Sequence, residues 1–280
     1  MDSVYINKKL QEGYTVLHKE ILYNNDKTKS CDIVIPKIVD ESVKVKTLGL
    51  WLSAGADSTV LLYLLAKLIQ DNELDIKIQP ATIGFDPIVE EYKDDLASYI
   101  TAPKCSLDIV NKIIKMLNVD CILPLITYYP DVSKISVWDE YDNKEKENKK
   151  NGVWDIIYIG RNANPPNDTY DKSLYDGTSP SAWNYGRKTD KVNLNWHPWK
   201  HFWETRDPDV LQDVIFNKGT DMKPFSNVDK KFIADLYEQY DLLDALLPMT
   251  KSCAHASAPG DKGCGKCFHC YEKYYGFGEC

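Results

Sequence analysis

Between Val45 and Gly160 the chain alternates short apolar runs with longer helical ones, and few folds accept that rhythm. "VKTLGLWL" (Val45–Leu52) reads as a buried strand. "DSTVLLYLLAKLIQD" follows it with helical length and is apolar on nearly every side, so that helix must be covered. "DIKIQPATIGF", ending at Phe85, predicts the next strand. "CSLDIVNKIIKMLNV" predicts an amphipathic helix with Ser106 or Asp108 near its start. "CILPLITYY" and "VWDIIYIG" (Val153–Gly160) predict two further strands. Parallel strands need crossovers, and helices of this length supply them. The expected fold class is therefore α/β, a parallel sheet with helices on both faces.

The flanks divide the chain further. Residues 1–44 form a polar N-terminal extension with one strand at "CDIVIPKIV". Residues 45–164 form the α/β domain. Within it "WDEYDNKEKENKKNG" (Trp138–Gly152) lacks apolar periodicity and predicts a solvated loop. Residues 165–221 break the rhythm with Pro, Asn, Trp and Tyr. Residues 222–280 return to helix from Asp229 through Leu247 and end in a cysteine-rich region.

With 280 residues and 43% hydrophobic content the chain can bury a sizeable core. The absence of a long apolar run or a basic leader predicts a cytoplasmic protein with no membrane contact. A net charge of -8 weighs against nucleic acid as the main substrate.

The first strand and helix are joined by "SAGADS" (Ser53–Ser58). A strand-to-helix turn in a parallel sheet lies at the carboxyl edge, where ligands bind. Small residues let the backbone approach an anion. The helix's first N–H groups and its dipole favour negative charge there, and Ser53 and Ser58 add hydroxyl donors. The segment predicts a phosphate cradle, and it is not a Walker loop, because no Gly-Lys-Ser/Thr follows. An ordinary tight turn with Asp57 or Ser58 capping the helix is the other reading.

The eight cysteines are uneven. Cys31, Cys105 and Cys121 sit among apolar neighbours and read as core thiols. "CAHASAPGDKGCGKCFHC" supplies Cys253, Cys264, Cys267 and Cys270 at chelating spacing, with glycines between. Four soft ligands in so short a span suit tetrahedral zinc, with an iron–sulfur cluster as the chemical rival. In the Trp-rich segment, Trp183, Trp196, Trp199 and Trp203 beside Arg187 and Arg206 read as a subdomain core; stacking a purine-like ring or forming an interface is the alternative. Pro198 between His197 and His201 argues against a helical metal pair.

"SAGADS" resembles the S-G-G-x-D-S loop of the PP-loop ATP pyrophosphatases, with Ala54 in place of the first glycine. Together with "SCAHASAPGDKGCGKCFHCYEKYYGF" it is similar to the 7-cyano-7-deazaguanine synthases of that superfamily. "KPFSNVDKKF" matches a family proline and helix-opening lysine at Pro224 and Lys230, and Lys273 stands near a family arginine. "IYIGRNANPPND" looks like the family's strand ending in glycine and an Asn-Ala-x-Asp segment, with Asn164 where the acid belongs.

The resemblance implies ATP, Mg²⁺ and Zn²⁺. Ser53, Ala54, Gly55, Ala56, Asp57, Ser58 and Thr59 would hold ATP, and Ser53, Asp57, Ser58 and Lys230 would act in catalysis. Gly160, Asn162 and Asn164 would bind substrate, and Cys253, Cys264, Cys267 and Cys270 would hold zinc. The implied reaction converts 7-carboxy-7-deazaguanine and ammonia to the nitrile, or to its amide, through an acyl adenylate; a homodimer is the expected assembly. Three other readings stay open: adenylation of a related acid for a nucleic-acid or protein acceptor, sulfur transfer to tRNA, and a nucleotide-binding module without turnover.

Overall fold

The computed structural model describes residues 15–37, 44–84, 93–130, 137–165, 206, 214–216, 220–253, 263 and 268–278. The first element is an antiparallel hairpin of β1 (Val16–Tyr23) and β2 (Ser30–Pro36), where the sequence predicted a single strand. The central sheet has six strands: β3 (Thr47–Trp51), β4 (Lys77–Ile83), β5 (Ile126–Tyr128), β6 (Ile156–Ile159), β7 (Ile215–Phe216) and β8 (Asp221–Met222). Their order is β5-β4-β3-β6-β8-β7, and only β7 runs antiparallel to its neighbour.

The five parallel strands wind outward from β3 to β5, then return to β6 on the other side of β3. That is a doubly wound sheet, and its switch point lies between β3 and β6. Helices α1 (Ala56–Asp71) and α2 (Lys93–Leu117) make the first two crossovers, and α3 (Val137–Lys150) makes the third. The C-terminal region adds α4 (Lys230–Gln239), a 3₁₀ turn (Leu247–Met249) and α5 (Phe268–Phe277).

Strand alternation sends Leu48 and Leu50 of β3, with Ile156 and Tyr158 of β6, into the main core. That core also takes in α1, Ile33, Val34 and Ile35 of β2, and Phe232 and Leu236 of α4. The near-uniform apolar surface of α1 follows: it lies inside this core rather than at its edge. Tyr158 is fully buried, and its hydroxyl donates to the Val34 carbonyl at 2.6 Å, tying the hairpin to the sheet.

Trp51, Ala81, Ile83, Trp154 and Ile157 form a second cluster on the opposite face. Gly49 is required there, because a Cβ would stand 2.4 Å from the Trp154 ring. This face is covered by α3, so the predicted loop at 138–152 is a helix. Tyr141, Lys144, Glu145, Asn148 and Lys149 turn inward, and 142, 143, 146 and 147 turn out. That is helical spacing written in polar residues, which apolar periodicity does not register. Tyr141 meets Trp51 edge-on at 4.5 Å, Asn148 bonds the Tyr128 hydroxyl, and Lys149 pairs with Asp221.

Two helix boundaries also differ from expectation. Ser106 and Asp108 lie well inside α2, which starts at Lys93 and carries Pro103. The helix expected from Asp229 to Leu247 ends at Gln239, where Asp241 takes a left-handed φ of 56°. The predicted Lys230 helix start holds: Asp229 is its N-cap and accepts from the Phe232 N–H. Among the described residues, no helix is long and apolar enough to cross a membrane. Of the Trp-rich segment only Pro165, Arg206 and short pieces at β7 and β8 are described, so its tryptophans lie outside the described residues, as do His197 and His201.

Candidate nucleotide site

Ser53–Ser58 leaves the carboxyl end of β3 beside the switch point. Its conformation is fixed by bonds to its carbonyls and to that of Leu52 just before it. Ser106 Oγ donates to the Leu52 carbonyl at 2.9 Å, and the Lys251 N–H donates to the Ala54 carbonyl at 2.8 Å. The Gly55 carbonyl accepts from Ser58 Oγ at 3.2 Å and from the Thr59 N–H at 3.1 Å. Tyr237 of α4 donates to the Ala56 carbonyl at 3.0 Å. Acceptors face the protein, and Gly55, the N-cap of α1, offers no side-chain cap to the first turn of helix. Those N–H groups are the positive end of the α1 dipole, and the arrangement suits an anion.

Ala54 has φ 60° and is fully buried. A left-handed conformation that favours glycine is thus held by an alanine whose methyl packs into the main core. Ser53 and Ser58 hydroxyls lie 3.2 Å apart at the mouth of the turn. Gly160, at the end of β6, lies directly against it: a Cβ there would be 2.6 Å from Ser58 N and 2.7 Å from Ser58 Cα. The structure therefore brings Gly160 to the loop itself, as the close approach between β6 and the first turn of α1.

Lys230 is 3% exposed, and its Nζ donates to both oxygens of Asp57, at 2.7 and 2.6 Å. Burial pushes the Asp57 carboxyl up, against the pull of Lys230. Burial also raises Glu272, yet Arg206, Lys230 and His269 outweigh it and hold that carboxyl below its ordinary range. Glu272 pairs with Arg206, and Arg206 Nε donates to the Asn162 carbonyl at 2.7 Å. Asn162 is 1% exposed and Asn164 4%, and the Asn164 N–H donates to the Arg206 carbonyl at 2.6 Å. Two carboxylates and two cations thus meet beneath the loop, next to the predicted substrate residues. Gly276 lets α5 close on α4, since a Cβ would be 2.7 Å from the Lys230 carbonyl.

Glu272, Ser106, Lys251 and Tyr237 escape sequence reasoning. Ser106 and Tyr237 read as ordinary helix residues, and Glu272 sits in "YEKYYGF" beside Lys273, where the resemblance points to a cation. Arg206 was visible only as one cation among aromatics.

Of the predicted zinc ligands, Cys253 and Cys270 are 4% and 1% exposed; Cys264 and Cys267 lie outside the described residues. Buried soft thiols suit zinc and an iron–sulfur cluster alike. Burial lowers the His269 pKa, which favours neutral imidazole. Among the described residues no group of three or more His, Cys, Asp or Glu side chains could hold a metal ion.

The fold and the loop together define an α/β doubly wound protein with an uncapped helix start at its switch point. The sequence matches no family model and no curated protein. Among solved structures it is similar to the U34-tRNA thiolase NcsA from Methanococcus maripaludis with its [4Fe-4S] cluster. The identity is 14%, over 70% of this chain and 57% of that one, with a TM-score of 0.34. It is also similar to a universal stress protein in complex with cAMP, at 13% identity over 40% of this chain and 73% of that one, with a TM-score of 0.25. The chain thus spans little more than half the length of the thiolase.

Proposed function

We propose that the chain is an ATP-using enzyme of the PP-loop type that adenylates a carboxylate. Its implied acid is 7-carboxy-7-deazaguanine, with ammonia as acceptor and the nitrile or amide as product. One observation carries the reading: an uncapped helix start at the switch point, its carbonyls already bonded, with the buried Lys230 brought to it by Asp57.

Transfer of AMP turns a carboxylate oxygen into part of a good leaving group. The N–H groups of Gly55–Ser58 and the hydroxyls of Ser53 and Ser58 would bind the β- and γ-phosphates. Lys230 would offset the charge that builds there. Asp57 would hold Mg²⁺ in exchange for its bonds to Lys230, and the ion would supply further charge stabilisation. Asn162 and Asn164 would orient the acid at the end of β6. Cys253, Cys264, Cys267 and Cys270 would hold zinc in a structural role, apart from the reacting atoms.

The test is mass spectrometry of products formed from ATP, Mg²⁺, ammonium and 7-carboxy-7-deazaguanine by zinc-replete protein. AMP with the nitrile or amide is the expected result. Absence of AMP would refute the assignment of this acid. Unchanged biological function after Asp57→Asn would favour a binding module instead.

A further inference from the structure

Phosphate binding at the loop leaves one buried group unexplained. Glu272 is 4% exposed, and its two oxygens face in two directions. Oε1 accepts from Arg206 and, at 3.3 Å, from Asn162 Nδ2. Oε2 lies 3.9 Å from Lys230 Nζ. Lys230 grips Asp57 inside the loop, and Asn162 lies two residues beyond Gly160 at the end of β6. One side chain therefore spans the nucleotide side and the strand end assigned to the acid.

The charges make this span consequential. A buried ammonium left without an anionic neighbour is strongly unfavourable. In the present state Asp57 is that neighbour, at 2.6 Å, and Glu272 is the more distant one. A triphosphate at the loop competes with Asp57 for Lys230, and Mg²⁺ competes with Lys230 for Asp57. Glu272 is then the carboxylate that remains. It cannot follow Lys230 without disturbing its pairing with Arg206, and Arg206 is fixed to Asn162 by Nε at 2.7 Å and Nη2 at 3.2 Å. A shift on either side reaches the other through a single carboxylate.

We propose that Glu272 is a positioning residue that couples the nucleotide loop to the acid subsite, so that filling one strengthens binding at the other. The inference rests on the ATP-dependent reading above. A purely structural Glu272 would balance charge and support folding, but would not link the two affinities.

Calorimetric titration of the full chain separates these roles. The probes are an ATP analogue with a methylene between the α and β phosphorus atoms, with Mg²⁺, and 7-carboxy-7-deazaguanine. Each is titrated with and without the other, in the wild type, Glu272→Gln and Arg206→Lys. In the wild type each ligand should tighten the other by about fivefold or more, equally in both directions. In both variants the factor should fall to near one, while each ligand still binds alone. Unchanged coupling in the variants, or none in the wild type, overturns the proposal. If Glu272→Gln fails to fold, Arg206→Lys decides, because it keeps the charge and loses the fork. A wild type that does not bind the ATP analogue refutes the nucleotide reading and this inference with it. Binding of the analogue without binding of the acid refutes the acid assignment and the coupling built on it.

Discussion

Ala54 sets two energies against each other, and replacing it measures their balance. Its φ of 60° costs a non-glycine residue about 1–2 kcal/mol, which Ala54→Gly would recover. Its methyl is fully buried in the main core, and removing one such group loses ~0.8 kcal/mol. Glycine also widens the unfolded ensemble, at about 0.4–1 kcal/mol. The terms nearly cancel, so Ala54→Gly should leave stability within about 1 kcal/mol of the wild type. Ala54→Val should behave differently. A branched side chain at positive φ is more strained still, and the added carbons overpack a filled site, for a loss of roughly 3 kcal/mol or more. Urea denaturation followed by circular dichroism reads both as midpoint shifts at unchanged slope. A gain above about 1 kcal/mol in Ala54→Gly would mean that the methyl contributes little. A loss of that size would mean that the left-handed turn is not strained. Either result refutes the balance.

Three further outcomes follow from the packing and charges. Gly160→Ala forces a methyl onto the Ser58 backbone, so affinity for an ATP analogue should fall about tenfold or more, measured by calorimetry. Tyr141→Ala should cost about 1–2 kcal/mol through its lost contact with Trp51, while Lys146→Ala, on the outer face of α3, should change stability by less than about 0.5 kcal/mol. Equal effects would contradict α3 as a packed helix. Glu272 is held below its ordinary 4.5 in the folded protein, so the unfolded chain binds more protons as the pH falls past that value. Its contribution is present above about pH 4.5 and is lost as the pH falls through the folded value, so Glu272→Gln should show a shallower acid loss of stability in denaturation series. Asp57, raised by burial, has the opposite sign and resists that loss.

Most of the fold was written in apolar spacing. The central strands β3 to β6, α1 and the parallel character of the sheet all follow from runs that must bury both faces. The helix α3 was not legible, because its inward face is Tyr141, Glu145, Asn148 and Lys149, and its attachment is an aromatic edge and polar bonds. The N-terminal part of α2 was missed because Pro103 reads as a boundary and not as an interior residue. At the site, the Ser53–Ser58 turn and Lys230 were legible from local pattern. Glu272 was not, since a buried carboxylate is specified by the distant cations that neutralise it. Ser106 and Tyr237 act on loop carbonyls 54 and 181 residues away in sequence, and no local signal marks such bonds.

The central claim is that the turn after β3 cradles a triphosphate. Amide hydrogen exchange across residues 53–59, with and without the methylene ATP analogue and Mg²⁺, tests it most directly. The account predicts strong slowing at Gly55, Ala56, Asp57 and Ser58 on binding, with little change along β5. Binding that leaves those amides exchanging at their unliganded rate would place the nucleotide elsewhere and contradict the account.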